Sequence, residues 1–198
     1  MLILYDSPLS LNCYKVRLLL ALLGVAYHRQ RVDLRKGEHR TEQFLVVNPF
    51  GQIPMLEHDE FRIRDSQTIL IWLARRFADD SWLPRDPDQE AEVNGWLAAA
   101  AFELRLGPYD ARLAKHFPSL CVNADQAVEN SHKALQLYER RLEGRQWLAL
   151  EQPTISDVAA FPAIAHCSDG GIDLAPYPAI RRWLDRMKAL PGFVSLLD

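Results

Sequence analysis

The sequence predicts an α/β unit followed by an all-helical one, with residues 1–78 in the first, a linker over 79–87 and residues 88–198 in the second. Three observations predict it. Over the first 78 residues, short apolar runs alternate with longer helix-forming stretches, in the order βαβ, then α, then ββα. Between 79 and 87, Asp79, Asp80, Ser81, Pro84, Asp86 and Pro87 gather as turn formers with little to bury. Beyond the linker, apolar residues recur almost everywhere at helical spacing.

Element by element, residues 2–5 form an apolar run suited to a strand buried on both faces. Residues 13–23 favour a helix, stopped by Gly24 as a left-handed cap. Residues 27–32 alternate large and charged side chains as a second strand, and 41–47 make a short helix. That helix ends before Asn48-Pro49, because a residue preceding proline disfavours the helical basin. Residues 53–56 and 61–64 read as adjacent strands around the turn His58-Asp59-Glu60. Asp65-Ser66 opens a helix with Ile69, Leu70, Leu73 and Phe77 on one stripe.

In the second unit, residues 90–115 follow one long helical pattern that Gly107-Pro108 should kink. Residues 124–142 align Val128, Ser131, Leu135, Tyr138 and Leu142 on one face. Residues 154–167 begin with Thr-x-x-Asp, the pattern of a capping box, and should bend at Pro162. Ile180, Trp183, Leu184 and Met187 keep the i, i+3, i+4, i+7 spacing of a last helix.

Composition narrows the function classes. Of 198 residues, 48% are hydrophobic and 25% charged, the balance of an ordinary globular protein. A net charge of −3, with no basic block standing apart from acids, argues against a grip on nucleic acid or an anionic membrane. The start does not read as a signal peptide, since Asp6 interrupts it and Lys15 and Arg17 precede the apolar 18–23 run. The three cysteines, Cys13, Cys121 and Cys167, are odd in number and widely spaced, so reduced thiols in a cytoplasm are expected. The six histidines lack metal-ligand spacing, and no metal site is expected.

Three segments can carry chemistry. Ser7-Pro8-Leu9-Ser10-Leu11-Asn12-Cys13 joins the first strand to the first helix, where unpaired N–H groups favour a thiolate. Its Ser10-x-x-Cys13 frame is that of a redox CxxC motif with serine in the attacking position, so the reactive sulfur must come from a ligand. The alternative is that Ser10 only caps the helix and Cys13 only packs. In Asn48-Pro49-Phe50-Gly51-Gln52-Ile53-Pro54, a cis Ile53–Pro54 bond would turn the Ile53 N–H and C=O outward to pair with an extended peptide. A plain surface turn is the other reading. Asp65-Ser66 caps a helix, and the same geometry also fits a ligand carboxylate at Ser66 with Asp65 taking an ammonium.

Together these segments resemble the glutathione S-transferase family over nearly the whole chain. Leu4-Tyr5-Asp6-Ser7-Pro8 with Asn12-Cys13-Tyr14-Lys15-Val16-Arg17 resembles bacterial theta- and nu-like, serine-type members. Asn48-Pro49-Phe50-Gly51-Gln52-Ile53-Pro54 is similar to the family's cis-proline loop, and Asp65-Ser66-Gln67-Thr68-Ile69 to its Glu/Asp-Ser-x-x-Ile motif. Thr154-Ile155-Ser156-Asp157-Val158 resembles the family's helical capping box, and the ending Tyr177-Pro178, Trp183-Leu184, Pro191-Gly192-Phe193 is similar as well.

The resemblance implies a thioredoxin-like N-terminal domain and an all-helical C-terminal one, with glutathione as co-substrate and no metal. It implies that Ser10 hydrogen-bonds the glutathione thiolate, with Asn12 as the competing donor. The Ile53 backbone, next to Pro54, would pair with the cysteinyl unit, and Asp65 and Ser66 would hold the γ-glutamyl end. His39, Arg40 and Gln52 would lie near the glycyl carboxylate. Phe102, Leu106 and Tyr109, around the predicted kink, would line the site of a small hydrophobic electrophile, or else serve as core. A cytoplasmic homodimer is implied. The implied reaction is conjugation, with glutathione-dependent disulfide or peroxide reduction, or binding without catalysis, as alternatives.

Overall fold

The computed structural model describes residues 1–198 and divides them into two compact units, Met1–Ala78 with Pro191–Asp198, and Asp79–Leu190. The sequence assigns the last eight residues to the helical unit. The structure returns them to the first, because donors on its opening helix hold their carbonyls.

The first unit is built on strands β1 (Leu2–Asp6), β2 (His28–Arg31), β3 (Met55–His58) and β4 (Phe61–Arg64). They form one mixed sheet in the order β2-β1-β3-β4. β2 runs parallel to β1 with Ile3 opposite His28, and β3 runs antiparallel to β1 with Leu4 opposite Leu56. β4 returns against β3 with Leu56 opposite Ile63. Leu2, Leu4 and Asp6 share the buried face of β1. Tyr5, expected in the core, is half-buried on the other face, edge-on to Phe44. Alternation forces this, since successive side chains leave opposite faces of a strand.

Helix α1 (Leu11–Leu22) packs against α3 (Ser66–Phe77), while α2 (Glu42–Val47) is short and capped by Thr41. α1 is buried along most of its length, including Lys15 and Arg17, which is uncommon for charged residues. Phe77 is exposed, so the buried stripe of α3 is Ile69, Leu70, Leu73 and Ala74.

The second unit holds α4 (Pro87–Leu104), α5 (Asp110–His116), α6 (Ala124–Leu142), α7 (Ile155–Ala165) and α8 (Pro178–Lys188). α4 opens inside the expected linker, with Asp86 as N-cap and Pro87 at the first helical position, where its missing N–H is harmless. Between α4 and α5 the helix breaks into a π-turn at Arg105–Tyr109, with Gly107 at φ −102, ψ −107. Pro108 removes a backbone donor there, and a Cβ at Gly107 would lie 2.9 Å from the Ser131 backbone of α6.

α7 is buried all round and forms the centre of this unit. Its capping box is present, with Asp157 fully buried and accepting the Thr154 N–H at 2.9 Å. α6 buries Ala127, Ser131, Ala134, Leu135, Tyr138 and Leu142, and Val128 is exposed beside that face. Glu139 of α6 accepts the Ala179 and Ile180 N–H groups at 2.8 and 2.9 Å, capping α8 from another helix. No helix is long and apolar enough to cross a membrane.

Candidate functional site

Strand register alone brings the three predicted segments to one end of the first unit's sheet. Met55, the first residue of β3, pairs with Tyr5 near the end of β1 and with Arg64 at the end of β4. The loop to α1, the segment entering β3 and the turn into α3 therefore leave from one edge. Two strand spacings separate the outer loops, about 10 Å. The N-termini of α1 and α3 open at the same edge, and both present unpaired N–H groups.

Ser10 is the N-cap of α1, extended at φ −78, ψ 116, and its Oγ accepts the Cys13 N–H at 3.3 Å. A hydroxyl that accepts still has its proton to donate. Ser10 is half-buried, as is Asn12, whose side chain has no hydrogen-bond partner within the chain. Cys13 lies buried beneath them. Burial pushes its thiol up to about 12, against hydrogen bonds with Ser10 and the Ser7 backbone that pull the other way. Such a thiol is a packing group and not a nucleophile.

The Ile53–Pro54 peptide bond is cis, as the sequence predicts. Pro54 is buried, Ile53 is half-buried, and the Ile53 N–H and C=O make no hydrogen bond within the chain. Asn48, only 2% exposed, holds this loop in shape. Its Nδ2 donates to the Gln52 carbonyl at 2.7 Å, its Oδ1 accepts the Phe50 N–H at 3.1 Å, and its carbonyl accepts the Gly51 N–H at 2.9 Å. Gly51, at φ +58, lies where a Cβ would come 3.0 Å from the His39 carbonyl oxygen. This sets the turn Glu38–Arg40 against the loop, with Gln52 and Arg40 exposed and His39 half-buried. Burial, and then the neighbouring Arg40, lower the His39 pKa and favour the neutral ring.

Asp65 caps α3 from φ +70, ψ 126, a backbone conformation unfavourable for a residue with a Cβ. Its Oδ1 accepts the Gln67 and Thr68 N–H groups, each at 3.0 Å, and the Thr68 hydroxyl at 3.3 Å. The second oxygen remains available on an exposed side chain. Ser66 is buried at the first helical position, where its N–H has no intrahelical acceptor.

With that geometry in place, comparison with known proteins is decisive. Residues 1–75 match the pattern of the glutathione S-transferase N-terminal domain, and residues 109–191 that of the C-terminal domain. A crystal structure described as a possible glutathione S-transferase from Rhodopseudomonas palustris is 31% identical with a TM-score of 0.92, covering 99% of this chain and 90% of that one. The chain belongs to the glutathione S-transferase family. Glutathione S-transferase 1 of Dianthus caryophyllus is 29% identical over 90% of this chain and 83% of its own length. A glutathione transferase homologue from Drosophila mojavensis, crystallised with bound glutathione, is 25% identical with a TM-score of 0.89, covering 96% of this chain and 88% of that one.

In this family member, Phe102, Leu106 and Tyr109 form a separate group in the second unit, around the π-turn. Phe102 is 64% exposed, Leu106 is exposed, and Tyr109 is half-buried with the Arg105 guanidinium 5.0 Å from its ring centre. Phe102 is therefore not core.

Two residues escaped the sequence reading. Asn48 precedes a proline and a glycine, a visible turn signal whose consequence for Gln52 and Ile53 needs the fold. Gln67 has a side-chain amide whose nitrogen and oxygen are both buried without a partner, a feature with no sequence signal.

Proposed function

We propose that the protein conjugates the thiolate of glutathione to a small hydrophobic electrophile. The observation that carries this reading is the convergence, at one sheet edge, of the α1 N-terminus with Ser10, the unpaired Ile53 N–H and C=O, and Asp65-Ser66 at the α3 N-terminus. The distance between the outer loops, about 10 Å, suits an extended tripeptide. The Drosophila mojavensis homologue, which holds glutathione, supports the choice of ligand.

In this reading Asp65 pairs with the γ-glutamyl ammonium, and Ser66 with the α3 N–H groups takes the α-carboxylate. Ile53 pairs with the cysteinyl backbone in the manner of an added strand. His39, Arg40 and Gln52 face the glycyl carboxylate, and Ser10 donates to the sulfur. Phe102, Leu106 and Tyr109 receive the electrophile. The protein acts as a cytoplasmic homodimer, and light scattering at the single-chain mass of 22.7 kDa counts against that pairing.

A free thiol with a pKa of about 8.5 is only ~3% thiolate at pH 7. Lowering that pKa by ~2 units takes ~2.7 kcal/mol and raises the thiolate fraction roughly 25-fold. A Brønsted slope of about 0.45 returns ~8-fold of this, so activation nets about threefold. Most of the acceleration must come from holding the electrophile against the sulfur.

Ser10→Ala should raise the apparent pKa of bound glutathione by about one unit, the loss of one hydrogen bond to a charged sulfur. Glutathione affinity should barely change. Thiolate absorbance titrated with pH checks this, and an unmoved titration transfers the role to Asn12. The unpartnered Asn12 side chain also supports a second reading, glutathione-dependent disulfide reduction. Assays with a chloronitrobenzene acceptor and with a glutathione mixed disulfide separate the two, and activity on neither leaves binding without catalysis.

A further inference from the structure

α1 carries Tyr14, Arg17 and Ala21 at i, i+3 and i+7, which places them along one stripe. The last eight residues of the chain dock on that stripe. Gly192, at φ +82, sits where a Cβ would lie 2.8 Å from the Ala21 carbonyl oxygen. Tyr14 Oη donates to the Val194 carbonyl at 2.8 Å, and Arg17 Nη2 donates to the Leu196 carbonyl at 2.7 Å. From β2, Arg29 Nη1 donates to the Asp198 carbonyl at 3.3 Å. Alternate carbonyls of one segment, at 194, 196 and 198, thus each meet a side-chain donor.

The Arg17 guanidinium, 2% exposed, has two further duties. Its Nη1 donates to both oxygens of the fully buried Asp6, at 3.3 and 3.0 Å. Its Nη2 also donates to the Pro8 carbonyl at 3.1 Å, inside the loop that carries Ser10. Within that loop the Ser10 N–H also donates to the Ser7 carbonyl at 3.0 Å. One nitrogen therefore bridges the chain's last segment and the Ser10 loop.

We propose that Arg17 is a positioning residue for Ser10, holding the Ser7–Ser10 loop through Pro8 only while residues 191–198 are docked on α1. Its catalytic consequence rests on the reading of Ser10 given above. The guanidinium is a rigid planar fork, so its contacts to Asp6, Pro8 and Leu196 are set together. Arg17 Nε is already buried without a partner, and withdrawing the Leu196 carbonyl removes one of the two acceptors of Nη2. The ring of Tyr14, with the guanidinium carbon 5.7 Å from its centre, links the two halves of the stripe.

Two substitutions in the full chain test this. Gly192→Ala acts where the docked segment meets the Ala21 carbonyl, at the end of α1 away from Ser10. Arg17→Lys keeps a positive charge facing Asp6 but has no fork to reach Pro8 and Leu196 together. In both variants the Ser10 and Cys13 amides should exchange with deuterium about tenfold faster, while the Gln67 and Thr68 amides at the other helix start stay unchanged. With glutathione and a chloronitrobenzene acceptor, kcat should fall by up to about threefold at neutral pH, the whole net gain of thiolate activation, with the acid limb of the pH–rate profile moved upward and KM for glutathione little changed. If both variants melt earlier yet keep wild-type amide exchange and pH profile, the docked segment is only structural and the proposal is overturned. Wild-type protein that does not turn over glutathione would instead sink the conjugation reading, and the exchange measurement still decides the coupling.

Discussion

Asp65→Asn should weaken glutathione binding by about 10- to 100-fold while leaving the melting temperature close to wild type. The asparagine side chain keeps an oxygen for the Gln67 and Thr68 N–H groups, so the cap on α3 survives. What disappears is the charge facing the ligand ammonium, and a hydrogen bond to a charged group contributes about 1.5–3 kcal/mol. Asp65→Ala should lose the same affinity and, in addition, about 1 kcal/mol of stability from the missing cap. Alanine also gains nothing from a local side-chain bond at φ +70, a conformation that asparagine and aspartate tolerate best. Calorimetric titration alongside thermal unfolding separates the two effects. Unchanged affinity in Asp65→Asn would mean that the ammonium is held elsewhere.

The second large effect is expected at the buried start of α7. Asp157→Ala should cost about 3–5 kcal/mol, a fall in melting temperature on the order of 10 °C. Asp157 Oδ1 accepts the Leu148 N–H at 3.0 Å and the Trp183 Nε1–H at 2.9 Å. Its Oδ2 accepts the Thr154 N–H at 2.9 Å and the Thr154 hydroxyl at 3.2 Å. Burial pushes this carboxyl upward, and those hydrogen bonds pull it back. Alanine strands two backbone donors and a buried indole N–H. Asp157→Asn should be milder, because it keeps one oxygen and the Thr154 hydroxyl can turn to accept from its amide. A calorimetric scan of Asp157→Ala within about 2 °C of wild type would show that solvent reaches the site.

Much of this was legible in the sequence because the signals are local. Turn formers at 79–87, the Thr-x-x-Asp of α7, Asp65-Ser66 before an apolar stripe and the proline-glycine loop each declare themselves within a few residues. Register then follows from strand order, which carries all three predicted segments to one edge. What stayed hidden depends on distant contact. Arg17 and Leu196 are 179 positions apart, and no periodicity links them. Lys15 and Arg17 look like surface charges until α1 is seen to be enclosed. Phe77 and Val128 fit their helical stripes by spacing alone, yet each is 38% exposed. The Gln67 amide is informative only through the partners it lacks.

The bend at Gly107 separates architecture from decoration. Its geometry rests on a close backbone approach, Gly107 against Ser131, with Pro108 beside it and the Asn130 Nδ2 donating to the Leu106 carbonyl at 3.3 Å. Phe102 and Leu106, both exposed on the α4 side of the bend, contribute little to the packing beneath them. Point changes at those two positions can therefore resurface the second unit while its scaffold stays put.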